Sequence, residues 1–439
     1  MLRQEIKNLI EKVVKEIYGI KIEVKISQTE NSAFGDYSTN IAMLLKKNPQ
    51  EIVNAIESPI LEKTEVKNGF INFFVSKDYL QKQVGEILKE KESFSKLKIG
   101  RGQKINVEFI SANPTGPLTL GNGRGGFAGD VLANVLEKAG CKITREYYIN
   151  DIGEQVRKLG HSIIGDAEAV YSGDYIAELR KRMKSALAKA TADKIGEEAA
   201  KLIFKEMIEP IIKKMGIKFD VWFSEKSLTQ EKDKVLDFFK KKNLIFENEG
   251  AIWFKSTKFG DDKDRVLIKA DKEATYFLSD IAYLKNKFKR GFGRLIFFWG
   301  ADHYGYIGRI KAAAEALGFG KEKIDIIIMQ LVRLVQAGQE VKMSKRTGVY
   351  VTLDELINEV GLDAARFFFL ARSSDSHLNF DLDLAKEQSE KNPVYYVQYA
   401  HARICSILRK SEIRNPKSET NSKLLNHESE LNLIKKMIK

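Results

Sequence analysis

Lys104-Ile105-Asn106-Val107-Glu108-Phe109-Ile110 runs directly into Ser111-Ala112-Asn113-Pro114-Thr115-Gly116-Pro117-Leu118-Thr119-Leu120-Gly121-Asn122. The first stretch is short, apolar and rich in β-branched residues, as in a buried strand. The second carries prolines and glycines and reads as a loop. A helix is expected from about Gly123 to Ala139, closed by Gly140, and a second strand from Ile143 to Ile149. Strand, helix and strand within about 45 residues form a βαβ unit, which requires a parallel sheet.

Downstream, the pattern is helical from about Glu154 to Ile217. It then returns to strands at Arg265–Ile268, Arg294–Trp299 and Ile324–Gln330, alternating with helices. The sheet is therefore expected to be split by an insertion. A helical tail begins near Leu384. Upstream lies a small α/β unit. It has a helix from Leu2 to Tyr18, an alternating strand-like Ile20–Ile26 and a strand within Gly69–Val75, followed by a lysine-rich linker from Lys89 to Lys104. The expected organisation is a small α/β domain over 1–90, a parallel-sheet α/β domain over 104–383 with an insertion at about 155–262, and the start of an all-α domain over 384–439.

The 439 residues exceed one ordinary core. No run reaches the roughly 18 apolar residues of a membrane span, and the N-terminal helix mixes both charges, unlike a signal peptide. Cys141 and Cys405 are too few and too far apart for a disulfide framework or a local CxxC zinc site, and fit a reducing cytoplasm. Net charge is +13. It reads either as solvated lysine-rich faces or as a footprint for a polyanion. From Lys391 onward ten Lys and Arg stand against four Asp and Glu, which favours RNA.

Two segments carry phosphate chemistry. The loop ending at Asn122 leads into a helix N-terminus, where free N–H groups and the dipole attract anions. Gly121 and Gly123 allow close approach, and Pro114 and Pro117 stiffen the entry. The plain alternative is an ordinary strand-to-helix loop. A rival reading takes Gly121-Asn122-Gly123-Arg124-Gly125-Gly126 as a dinucleotide fingerprint with Glu146 about 20 residues on, but that fingerprint should follow its strand at once. Later, Lys342-Met343-Ser344-Lys345-Arg346 places two ammonium groups and a hydroxyl together, suited to a departing pyrophosphate. Its plain alternative is one more lysine-rich surface loop.

Val107–Pro117, Tyr147–Asp151, Phe219–Glu225, Tyr276–Tyr283, Trp299–His303, the KMSKR string and Asn392–Arg403 together resemble the arginyl-tRNA synthetases of class I, over nearly the whole chain. The resemblance implies a Rossmann-type catalytic domain split by an insertion. It also implies ATP and arginine as substrates, Mg2+ carried on the ATP phosphates, tRNA-Arg as partner, a cytoplasmic monomer without membrane attachment, and a need for tRNA already in the first step. It assigns Thr119, Asn122, Lys342, Ser344 and Lys345 to catalysis, and Pro117, Gly121, Gly123, Lys342, Met343 and Lys345 to ATP. Arginine falls to Asn113, Glu225, Tyr276, Asp280 and His303, because a guanidinium fork pairs with carboxylates. tRNA falls to Phe70 and Asn72 in the N-terminal domain and to Tyr395, Tyr399 and Arg403 on one helix face. There are two departures. Thr119-Leu120-Gly121-Asn122 stands where the family has its HIGH tetrapeptide, replacing both histidines with neutral donors. The chain also ends at Lys439, about a hundred residues short of the family's usual anticodon domain, which suggests truncation. The alternatives are a catalytically weak or silent tRNA-binding paralogue and another class I synthetase.

Overall fold

In this computed structural model, residues 2–94, 96–184, 190–341, 351–414 and 427–437 are described. They form two units, Met1–Ser95 with Ile407–Lys439, and Lys96–Ser406. In the first unit, helix Leu2–Tyr18 buries Leu2, Ile6, Ile10, Val13 and Val14 along one stripe. That stripe belongs to the core of an antiparallel sheet of β1 (Ser27–Gln28), β2 (Tyr37–Thr39), β3 (Leu61–Lys67) and β4 (Phe70–Val75), in the order β1-β2-β4-β3. Asn68 and Gly69 join β3 to β4 with φ of 51° and 79°, as a tight hairpin turn demands. Helix Glu428–Met437, from the far end of the chain, adds Leu431 and Ile434 to this core and sets Lys435 2.6 Å from Asp36.

The segment Ile20–Ile26 departs from expectation. Val24 and Ile26 do point inward, yet only Ser27 and Gln28 join a ladder. Side chains take up its backbone groups. Glu11 accepts from Val24 N–H at 3.0 Å, Arg3 Nε donates to the Ile26 carbonyl at 2.9 Å, and the Thr39 hydroxyl donates to the Lys25 carbonyl at 2.8 Å. A period of two reports an extended chain, not the identity of its partner.

The second unit is built on five parallel strands: β5 (Lys104–Glu108), β6 (Lys142–Ile149), β7 (Val221–Ser224), β11 (Arg294–Gly300) and β12 (Ile324–Met329). Their order is β12-β11-β5-β6-β7. The chain thus winds outward from β5 through β6 and β7, then returns to the other side of β5 with β11 and β12. Connections diverge between β5 and β11, which opens a crevice at the carboxyl ends of the strands. Successive residues Tyr147 and Tyr148 enter opposite faces. Tyr147 joins a core with helix Leu120–Lys138 and the helices of 154–214, and Tyr148 one with helices Tyr276–Lys289 and Ile307–Ala316.

The span 155–262 is not one block. Helices fill the excursion between β6 and β7, but β7 itself closes the edge of the parallel sheet. A second excursion between β7 and β11 carries a small antiparallel sheet of β8 (Ile245–Asn248), β9 (Ala251–Phe254) and β10 (Arg265–Ile268). A four-residue edge strand inside helical surroundings gives little periodic signal. After β12 come the hairpin β13 (Val332–Gln336) and β14 (Gln339–Glu340), with β15 (Leu378–Asp381) parallel to β13.

Candidate active site

The helix expected from Gly123 begins earlier, at Leu120, with Thr119 as its N-cap. Asn122 Oδ1 accepts from the Thr119 N–H at 2.9 Å and from its hydroxyl at 2.8 Å. With Oδ1 held inward, the Asn122 amide NH2 remains to donate outward, and it has no partner among the described residues. Gly121 is exposed on the first turn. Gly123 is not available to a nucleotide as expected. It is buried, and a methyl there would lie 2.6 Å from Leu353 Cδ1. Gly126 and Gly129 continue this glycine face, where a methyl would meet Met215 at 2.8 Å and Phe109 at 2.3 Å. These glycines let the helix pack closely, and with Gly123, the glycine a pyrophosphate would have to approach, covered by Leu353, the dinucleotide reading is removed. Its ribose-binding acid is also occupied: Glu146 is fully buried and bound bidentately by Arg290 at 2.7 and 2.8 Å.

Arg124, fully buried, fixes this helix to the later chain. It donates to the Gln330 carbonyl at 2.8 Å and the Ser373 carbonyl at 2.7 Å. Gln330 leads into the β13–β14 hairpin, after which the chain enters the KMSKR string. Lys342, Met343, Ser344 and Lys345 lie outside the described residues. Pro117 is half-buried in the approach loop.

The other half of the crevice is acidic. Glu225 follows β7 and is 4% exposed. Burial, with Asp151 nearby, raises its carboxyl above the usual range, against the pull of a Ser279 hydrogen bond. Asp280 lies one turn into helix Tyr276–Lys289 and accepts from the Tyr306 hydroxyl at 2.5 Å. Burial pushes Asp280 up to about 7; Tyr306 opposes this, and Glu225 and Glu108 add to it. A buried acid and a half-buried one that repel each other, with no cation in contact among the described residues, form a ready seat for a planar cation. Tyr276, four residues before Asp280 and 44% exposed, carries its phenol close enough to Glu225 to feel its charge.

Asn113 is exposed and accepts from Asn150 Nδ2 at 2.5 Å. The side-chain amide oxygen of Asn150 is buried without a hydrogen-bond partner among the described residues, and the buried Tyr148 hydroxyl faces Glu225, whose carboxylate it helps to hold down. An orphaned polar atom at a cleft, as at Asn150, is where a substrate's own group fits. His303 sits on the exposed turn Ala301–Tyr306, 3.5 Å from Asp302 and 6.1 Å from the Trp299 ring. No described contact joins His303 to Glu225 or Asp280; Tyr306 of the same turn makes that link. Tyr306, Tyr148 and Asn150 are thus additions to the expected set. Tyr148 and Asn150 stood within a stretch already marked by resemblance, whereas Tyr306 had no local signal.

The RNA candidates divide. Phe70 is 40% exposed at the start of β4, whereas Asn72 is 3% exposed, paired on both sides by β2 and β3. A reader pair there reduces to Phe70. Tyr395, Tyr399 and Arg403 are exposed on helix Pro393–Arg414. Among the described residues no helix is long and apolar enough to cross a membrane.

A doubly wound sheet whose crevice joins an anion-seeking helix N-terminus to an amino-acid pocket is the class I aminoacyl-tRNA synthetase arrangement. Residues 83–381 match the model for "tRNA synthetases class I (R), catalytic domain". Residues 2–75 match "Arginyl tRNA synthetase N terminal domain" and 397–439 match "DALR anticodon binding domain". The chain belongs to the arginyl-tRNA synthetase family. It is 43% identical to the arginine–tRNA ligase of Carboxydothermus hydrogenoformans, over 94% of this chain and 81% of that protein. It is 44% identical to that of Bacillus subtilis, over 99% and 84%. The Thermus thermophilus arginyl-tRNA synthetase structure shares the fold, with a TM-score of 0.72 at 19% identity, covering 100% of this chain and 86% of that one.

Proposed function

We propose that this chain is an arginine–tRNA ligase, activating arginine with ATP and transferring it to the 3′ end of tRNA-Arg. The observation that carries the substrate choice is the Glu225–Asp280 pair, destabilised as anions and lacking a cation in contact among the described residues. The guanidinium enters between these carboxylates, bidentate on one or both, with Tyr276 against its face. Asn113, oriented by Asn150, holds the α-amino and carboxylate end. ATP lies with its phosphates at the N-terminus of helix Leu120–Lys138, meeting the Asn122 amide, held in place by Thr119, and the open face of Gly121. His303 joins the rim of this cleft.

In the first step an arginine carboxylate oxygen bonds to the α-phosphorus as the bond to the bridging oxygen breaks. Pyrophosphate leaves with that electron pair, received by Lys342, Lys345 and Ser344 beside Met343. Mg2+ would accompany ATP and neutralise phosphate charge, since among the described residues no cluster of three or more His, Cys, Asp or Glu could hold it separately. In the second step the terminal ribose hydroxyl of tRNA attacks the arginyl carbonyl and releases AMP. Phe70 stacks on an unpaired base, and Tyr395, Tyr399 and Arg403 contact the anticodon side. The enzyme acts in the cytoplasm as a monomer. Asn122 donates through its amide NH2 as a neutral group in place of an imidazole, and Thr119, whose hydroxyl proton goes to Asn122 Oδ1, orients that amide; this tunes the step rather than abolishing it.

ATP–pyrophosphate exchange with each of the twenty amino acids, with and without tRNA-Arg transcript, tests this. Exchange with arginine alone, requiring tRNA, is expected. Exchange with another amino acid, or none with arginine under any condition, would overturn it.

A further inference from the structure

Between β5 and Asn113 the chain makes a turn that no sequence pattern announces. Ile110 and Ser111 stand at φ of 67° and 38°, left-handed conformations that L side chains avoid, β-branched ones most. The Ser111 N–H donates back to the Phe109 carbonyl at 3.0 Å, closing the strained, positive-φ form of a γ-turn around Ile110. Strain of this kind persists only where the surroundings over-determine it.

Here the surroundings do so from four directions. The Tyr147 hydroxyl donates to the Ala112 carbonyl at 3.0 Å and accepts from the Ala112 N–H at 3.1 Å, gripping one residue at both backbone groups. The Ser111 hydroxyl accepts from the Tyr148 N–H at 3.1 Å and donates to Glu108 at 3.3 Å. Glu108 is itself held 2.7 Å from the fully buried Lys287. Gly126 leaves the space that the Ile110 side chain fills, with Ile110 Cδ1 3.0 Å from where a methyl would be. Tyr147 cannot swing away, because its ring is wedged against Phe204, Phe219 and Trp222 at 5.7, 5.4 and 5.2 Å. The turn carries the chain from the end of β5 across to the end of β6, where Asn113 meets Asn150.

We infer that Tyr147 and Ser111 are positioning residues for aminoacyl activation: their hydroxyls hold the strained Ile110–Ser111 turn and so aim Asn113 at the α-amino and carboxylate end of the substrate. The inference rests on the assignment of Asn113 in the proposed function. It predicts a selective loss, because the guanidinium pocket at Glu225 and Asp280 hangs on other elements.

Tyr147→Phe removes two hydrogen bonds and keeps the ring. Arginine KM in tRNA-supported exchange should rise about tenfold. Inhibition by n-butylguanidine, which has the guanidinium and no α groups, should stay within about twofold of the parent enzyme, and ATP KM likewise. Ser111→Ala, at a half-buried position, should give the same split and serves if Tyr147→Phe fails to fold. Unchanged arginine KM in both variants overturns the inference. So does a parallel rise in arginine KM and butylguanidine inhibition constant, the mark of a general loosening. Asn113→Ala is the control on the underlying assignment: if it leaves arginine KM unchanged, that assignment fails, whatever the Tyr147 result.

Discussion

Asp280 has a charge state that governs both stability and substrate binding. Its carboxyl sits at about 7 in the folded chain against an ordinary 3.8, chiefly through burial. The folded state therefore holds a proton that the unfolded chain gives up, and stability falls as pH climbs from about 4 to about 7. Asp280→Asn removes this slope. The wild-type unfolding free energy minus that of the variant, from urea titrations, should decline across that window and level off above it. A flat difference would show that Asp280 ionises normally. The same proton competes with the guanidinium, so arginine KM should fall as pH rises from about 6 to about 8 in the wild type and lose that trend in Asp280→Asn. Glu225→Gln takes half the charge from the seat and should raise arginine KM at least about thirtyfold, since a buried charged partner is lost; unchanged arginine kinetics would remove Glu225 from the pocket. Glu225, Asp280 and Asn113 were legible because each stands in a stretch resembling one family. Tyr306 was not, because its hydroxyl reaches Asp280 from 26 residues further along the chain.

Helix Tyr276–Lys289 shows where periodicity succeeds and where it misleads. Its spacing is helical, but the stripe Asp280, Tyr283, Lys287, with Arg290 just beyond, is polar and turned into the protein. Lys287 is fully buried, 2.7 Å from Glu108 and 3.4 Å from Glu146. Burial alone would raise Glu146, yet Lys287, Arg290 and the Tyr283 hydroxyl bring it down to about 2. Sequence reading assigns inward positions to apolar residues, so an inward ionic stripe is invisible to it. Lys287→Met should leave two buried carboxylates with one cation and cost about 3–5 kcal/mol by denaturant titration, the penalty of an uncompensated buried charge. A loss below about 1 kcal/mol would mean that solvent reaches Glu108 and Glu146 in the folded state. Helix Leu120–Lys138 gives the matching lesson for glycine. Gly129→Ala gains about 1 kcal/mol of helix propensity but drives a methyl into Phe109, an overpacking cost of about 1–3 kcal/mol, so melting temperature should drop. Gly121→Ala, whose nearest neighbour would be Thr119 Oγ1 at 3.8 Å, should melt no lower and still raise ATP KM.

Across the whole molecule, the parallel sheet and its interruption could be read from alternating strand and helix patterns, but the return of the chain's end to its beginning could not. Leu431 and Ile434 recur at helical spacing, which marks an apolar face without saying what it covers. That face joins the core of the unit containing helix Leu2–Tyr18, and neighbouring Lys435 pairs with Asp36. Leu431 and Ile434 are 7% and 5% exposed, so each contributes on the scale of a buried aliphatic side chain, about 2–3 kcal/mol when cut back. A Leu431→Ser, Ile434→Ser double variant should therefore loosen the first unit and spare the second, whose core is built from other residues. Hydrogen exchange resolves the two. Amides of helix Lys77–Glu90, against which the C-terminal helix packs, should exchange faster in the double variant, while those of helix Leu120–Lys138 keep their wild-type protection. Equal acceleration in both helices would mean that the units share one cooperative transition. No acceleration in either would mean that helix Glu428–Met437 adds nothing to the N-terminal core, and that Lys435 and Asp36 meet only as a surface pair.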